Sequence, residues 1–264
     1  MCIRADSKEI PNLRIQRNAE HGRQTAVRGI VLEHLAARTD ISERVILIPH
    51  GSRRCALGDS QHQSIRQLAA QLREVYALGV RQLLVGNLGQ LKIAKAAGFA
   101  VRGDFGLNIY NSRSMQYLRG QGVDSQLLSF ELTLPQIRDI SKAVPSEVMI
   151  YGRLPLMLME NCVIKNRTGT CACDAGVTKL VDRMGEEFPI VKDGGSCRNV
   201  LLNGKKLYLL DKLAAFRGMG LWALRLSFTT ENAGEVDKVL ADWVRGGTFE
   251  PGSYTRGLYQ RGVE

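Results

Sequence analysis

Long apolar runs are absent from this 264-residue chain. A membrane-spanning helix needs about 18 or more consecutive apolar residues, and no segment supplies them. The opening residues, MCIRADSKEIPNLRIQ, also lack the apolar region of a secretory signal. A cytoplasmic setting with reduced thiols is therefore expected, which argues against a disulfide framework. Histidine is scarce, at His21, His34, His50 and His62. No His-Glu-x-x-His pair is present to hold a catalytic zinc ion, and no Gly-x-Ser-x-Gly elbow to expose a nucleophilic serine. Only His50 ends a strand-like run, and nothing in the spacing supports a Cys162–His50 dyad.

Basic residues are in excess, 36 against 26 acidic, for a formal net charge of +10. That balance favours anionic partners, RNA included, although a merely solvated basic surface has the same composition. Arg53, Arg54, Lys92, Lys95, Lys165 and Arg167 are the candidate RNA contacts, and they are not interleaved with aromatic residues. No membrane partner is expected.

Residues 1–43 show no sustained period and read as an irregular lead-in, apart from a helical piece over Arg28–Arg38. From Arg44 onward a rhythm begins. Six apolar, strand-like runs follow: RVILIP (44–49), QLLVGN (82–87), AVRGDF (100–105), SQLLSFEL (125–132), EVMIYG (147–152) and WALRLSF (222–228). Continuous apolar runs of this length fit strands buried on both faces, as in parallel sheets. Helical periods lie between them at 64–78, 91–97, 112–121 and 134–144. Gly79, Gly98 and Gly122 are expected as stops, with Ser112 and Thr133 as caps. Residues 206–216 read as a helix, Thr230 as the cap of a last helix over 233–243, and residues 246–264 as a loop-like tail.

Strand and helix alternation predicts an α/β fold. No Gly-rich phosphate fingerprint follows the first strand, which favours a TIM-barrel-like repeat over a doubly wound sheet. His50, Asn87, Asp104, Glu131 and Arg153 each fall at the C-terminal end of a predicted strand, the rim where barrels carry their chemistry. A closed barrel needs eight strands, so the barrel over 44–245 is expected to be short at its N-terminal side. It would be completed by a preceding segment, a partner or self-association. At that rim Asp104 or Glu131 could act as general base, and Arg153 as a bidentate clamp for carboxylate or phosphate. Asn87, Asn108 and Asn111 could orient a substrate, or serve only as turn and cap residues.

The barrel rhythm breaks over about 153–205. Cys162, Cys171 and Cys173 fall within twelve residues there, and Cys197 follows in a Gly-rich loop. Four thiolates would complete either a zinc site or a [4Fe–4S] cluster. Thr168–Gly169 allows the tight turn that Cys171 and Cys173 would need to converge, and Lys165, Arg167, Lys179 and Arg183 would offset their charge. The competing reading is four small buried side chains. Val177–Arg183 and Glu187–Val191 read as extended pieces within this module.

Seven stretches together resemble one family: VGNLG (85–89), GDFGLNIYNS (103–112), LSFELT (128–133), YGRLPLMLMENC (151–162), DRMGEEFPI (182–190), RLSFTTE (225–231) and YTRGLYQRGV (254–263). They look like the collagenase-like peptidases, the thirty-second family of peptidases of unknown catalytic type, near the terminal part of its long members. The resemblance implies a barrel-like domain with cysteines at its rim, acting on peptides. Other relatives hydroxylate RNA bases or a quinone ring and carry a four-cysteine iron–sulfur cluster. Carried over by position, Cys162, Cys171, Cys173 and Cys197 would be its ligands. The close Cys171-x-Cys173 pair departs from those relatives, and the family's N-terminal barrel segment has no counterpart here.

Overall fold

A computed structural model describes residues 2–4, 45–47, 60–77, 80–159, 162–170, 178–192, 199–248 and 252–261. The helical piece expected over Arg28–Arg38 lies outside them, as do Gly79 and His50. The described elements begin with β1 (Cys2–Arg4), β2 (Val45–Leu47), α1 (Ser60–Ala77), β3 (Gln82–Val85), α2 (Leu88–Ala96) and β4 (Ala100–Gly103). They continue with α3 (Ser112–Gly120), β5 (Ser125–Leu127), α4 (Leu134–Asp139) and β6 (Ser146–Gly152).

All six expected strands are present. β2 to β6 lie side by side in sequence order, each parallel to the next, and the sixth, β12 (Ala223–Ser227), pairs parallel with β6. β1 closes the other edge antiparallel to β12. The result is a mixed α/β fold with a largely parallel sheet, compatible with a partial barrel. Every residue of β3 and β6 is buried, as strands covered on both faces require. Leu83, Val85, Leu127, Ile150 and Leu226 are among the sheet residues of the core, and Leu91, Met115, Leu118 and Ile137 from α2, α3 and α4 belong to the same cluster.

The helix signals operate locally. Thr133 and Gln136 form a capping box at α4, and Pro135 sits in its first turn. Gly98 and Gly122 take φ of +90° and +71° just past α2 and α3. Among the described residues no helix is long and apolar enough to cross a membrane.

Between β6 and β12 the chain builds a second sheet from β7 (Pro155–Met159), β8 (Thr178–Val181), β9 (Glu187–Lys192) and β10 (Asn199–Leu202), with α5 (Val163–Thr168) after β7. It is antiparallel, in the order β7-β10-β9-β8. The extended pieces expected at 177–183 and 187–191 are β8 and β9. The helix expected over 206–216 is a correction. It divides into strand β11 (Lys206–Tyr208), a 3-10 turn at Leu210–Lys212 and the short α6 (Leu213–Phe216). The cause lies in β6, which is seven residues long while its neighbour β5 has only three. β11 pairs antiparallel with the uncovered end, Leu207 opposite Gly152 and Tyr208 opposite Tyr151. Backbone groups there would otherwise be buried without partners.

A second correction concerns α7 (Ala233–Arg245). Its cap is Asn232, in a capping box with Glu235, and not Thr230. The tail is also less loop-like than expected. β13 (Tyr254–Thr255) pairs with β11, and the Tyr259 hydroxyl donates to the Met149 carbonyl at 2.8 Å.

One glycine fixes how β6 and β12 meet. Gly152 has φ of +125°, and a Cβ there would stand 2.0 Å from the Ser227 carbonyl oxygen. Gly152→Ala should therefore cost more than about 2 kcal/mol from backbone strain and overpacking together. Gly120→Ala, where a Cβ would meet nothing within 4 Å, should be neutral or slightly stabilising. Urea unfolding of the two variants beside the parent measures the contrast.

Candidate functional site

Charged side chains lie inside the apolar strands, and they find one another. Arg225 of β12 donates from Nη1 to Asp104 Oδ1 at 2.6 Å and from Nε to Glu147 Oε2 at 3.0 Å, while its Nη2 also reaches Glu147. Ser125 of β5 donates to Glu147 Oε1 at 2.8 Å. Glu147 is fully buried, and Arg225 and Asp104 are nearly so. Burial would raise the Glu147 carboxyl, but Arg225, the Ser125 hydroxyl and Arg102 outweigh it and hold that group below its ordinary value. Arg102 stacks on Trp222, 4.7 Å from the ring centre. The sequence carried a signal for this cluster, a single acid in EVMIYG and a single base in WALRLSF, but it gave no way to pair them. Asp104 sits at the end of β4 as expected, with its carboxylate bound to Arg225 rather than facing open solvent.

The second polar assembly lies where β6 and β12 end. The Glu231 side chain is fully buried. It accepts from Lys206 Nζ at 3.0 Å, from the Tyr151 hydroxyl at 3.3 Å, and from the backbone N–H groups of Thr229 and Thr230 at 2.7 and 3.1 Å. These contacts, led by Lys206, overcome burial and keep the Glu231 carboxyl below its ordinary value. Burial and the same Glu231 charge push the Tyr151 hydroxyl far up, so it stays protonated and donates. Arg153 follows β6 directly. Its Nε donates to Thr230 Oγ1 at 3.2 Å, and its Nη1 donates to the carbonyls of Asn203 and Gly204. Of these residues, Tyr151, Arg153, Gly204, Lys206 and Thr230 border a cleft of about 730 Å³ between the end of the main sheet and the antiparallel sheet.

The remaining predicted residues separate. Asn87 and Asn111 cap α2 and α3, accepting from the N–H groups of Gly89 and Ser114 at 2.8 and 2.9 Å; Ser112, expected as the α3 cap, is instead its first helical residue. Asn108 sits in the left-handed region, φ +47°, closing the turn at 105–107. Glu131 is half-buried beyond β5, and no described residue pairs with its carboxylate. Cys162 is buried at the start of α5, where its Sγ accepts the Lys165 N–H at 3.4 Å. Cys171, Cys173 and Cys197 lie outside the described residues, as do Arg53 and Arg54. Among the described residues no three His, Cys, Asp or Glu side chains are grouped to hold a metal. Lys95 is paired with Asp124 at 3.1 Å, while Lys92, Lys165 and Arg167 are exposed. Sequence reasoning missed Arg225, Glu147, Glu231 and Lys206.

The Arg225 cluster generates a pH signature. In the parent the folded carboxyl of Glu147 lies below its ordinary 4.5. Its stabilisation is thus fully present above that value and is lost as pH falls through the lower, folded one. Arg225→Met strands a buried carboxylate at a cost of about 3–5 kcal/mol near neutral pH. Burial then dominates and raises that carboxyl, so the variant should gain stability on acidification from neutral pH while the parent does not. Thermal unfolding of both between neutral pH and about pH 5 reads out the opposite signs.

Compared with known proteins, the chain matches no curated protein and no solved structure. Residues 60–243 match the family model described as peptidase family U32. That span includes β3 to β12 and both polar assemblies, and takes in more than half of the 264 residues. The chain is a member of peptidase family U32.

Proposed function

We propose that the chain is a peptide hydrolase in which Glu131 is the general base. Membership of a peptidase family supports the reaction class. The observation that carries the residue is the state of the three predicted catalytic side chains. Asp104 is tied to Arg225, and Arg153 to Thr230 and two carbonyls, whereas no described residue pairs with the Glu131 carboxylate. A half-buried carboxylate in the turn that follows a parallel strand can take a proton from water as that water attacks a peptide carbonyl. The sheet then works as part of a barrel, completed by a preceding segment or a second copy, with Glu131 on its C-terminal rim.

A second reading, cluster-dependent hydroxylation of RNA or a small ring, is favoured by the surroundings of Cys162. Asn199 pairs with Met159 across β10 and β7, and its side chain accepts the Val163 N–H at 2.9 Å. The segment following Cys197 is thereby held against the residue following Cys162, which fits a shared thiolate centre on Cys162, Cys171, Cys173 and Cys197. A [4Fe–4S] cluster there would supply one-electron chemistry, and zinc would be structural, because four thiolates leave no open coordination position. Hydrolysis therefore rests on Glu131 under either occupancy.

Gelatin cleavage and modification of unmodified RNA are assayed side by side, with iron, sulfide and zinc measured on anaerobically purified protein. Glu131→Gln should lower gelatin cleavage by about 100-fold or more, with folding unchanged, and Cys162→Ala should leave cleavage in place. Oxygen incorporation into RNA that requires iron and Cys162, with no peptide cleavage, would replace the first reading by the second.

A further inference from the structure

The cleft beside Arg153 is separate from Glu131, which is not among its lining residues. We infer that it binds the carboxylate of an amino acid or short peptide, between Arg153 and Lys206; this goes beyond the proposed reaction and does not depend on it. The donors are placed for such a ligand. Arg153 spends Nε and Nη1 on Thr230 and two carbonyls, which fix the plane of the guanidinium, and among the described residues Nη2 has no partner. Lys206 is mostly buried, with a side-chain exposure of 16%. It holds Glu231 at 3.0 Å but Glu235 only at 3.6 Å, so its outer side is loosely occupied. Glu235 is in turn committed to the Asn232 N–H at 2.8 Å. The Thr230 hydroxyl accepts from Arg153 and keeps its own proton to donate. Gly204, whose carbonyl binds Arg153, leaves the space in which the Glu186 side chain lies.

Charge decides the ligand class. Four basic side chains (Arg153, Lys179, Lys206, Lys238) line the cleft against three acidic ones (Glu186, Glu187, Glu235), and Glu231 behind Lys206 is a fourth acid. A neutral cleft gives a polyanion such as RNA no net attraction. A single carboxylate gains local, charge-assisted hydrogen bonds from Arg153 and Lys206, which a cleft of balanced charge does not oppose with a net negative field. The volume, about 730 Å³, lies within the range of small-ligand sites.

Calorimetric titration of the full chain with triglycine, triglycine amide and a short RNA tests this. Triglycine should bind saturably, and the amide about tenfold or more weaker, since it loses hydrogen bonds to charged donors. Arg153→Lys, which keeps the charge and loses the fork, should weaken triglycine by a similar factor. Equal binding of the amide, displacement of triglycine by RNA, or no binding at millimolar concentration would overturn the inference. Should Arg153→Lys fail to fold, the three ligands on the parent protein still decide it. Loss of gelatin cleavage in Glu131→Gln with triglycine binding intact would separate this site from the proposed reaction.

Discussion

One guanidinium links three of the strands. Arg225 reaches from β12 to Glu147 on β6 and to Asp104 at the end of β4, and Ser125 on β5 completes the ring around Glu147. In a parallel sheet buried on both faces, each of these charges would be prohibitive alone. Together they satisfy one another, and they fix which face of each strand points inward. The arrangement also sorts the polar residues at the strand ends. Those that contact Arg225 hold the sheet, whereas Asn87 caps α2 and Arg153 binds Thr230 and the Asn203 carbonyl.

The same division operates at the end of β6. Gly152 brings Ser227 within contact, so that Tyr151, Arg153, Thr230 and Glu231 gather in one place. Glu231 is neutralised from four directions, and its burial is what keeps Lys206 in position. Lys206 and Arg153 therefore enter the cleft with positions set from behind, the preorganisation that the inferred carboxylate site would use.

Much of this was legible in the sequence, and the limits have physical causes. The six apolar runs announced the six parallel strands because a strand covered on both faces must be apolar throughout. Pro135 and Thr133 announced α4 because a cap is a local interaction. The helix expected over 206–216 failed because an unpaired length of β6, set by the shortness of β5, overrode local helical preference. Thr230 resembled a cap in sequence, yet Arg153 claimed its hydroxyl from 77 residues away. The Arg225–Glu147 pair spans 78 residues, and nothing in a single sequence couples positions so far apart. Asn111 was visible as a candidate for substrate binding or capping and Asn87 for substrate binding or a turn, and the structure places both as caps.

The dependence of the sheet on Arg225 is tested most directly by a double-mutant cycle between Arg225→Met and Glu147→Leu, read by urea unfolding at neutral pH. Arg225→Met strands Glu147 and Asp104 together and Glu147→Leu leaves Arg225 with Asp104 alone, whereas the double change removes the Arg225–Glu147 pair itself. The double variant should be less destabilised than the sum of the singles, with a coupling of about 2 kcal/mol or more. Additive losses, with the double variant as weak as the sum of the singles, would contradict the role given to this interaction.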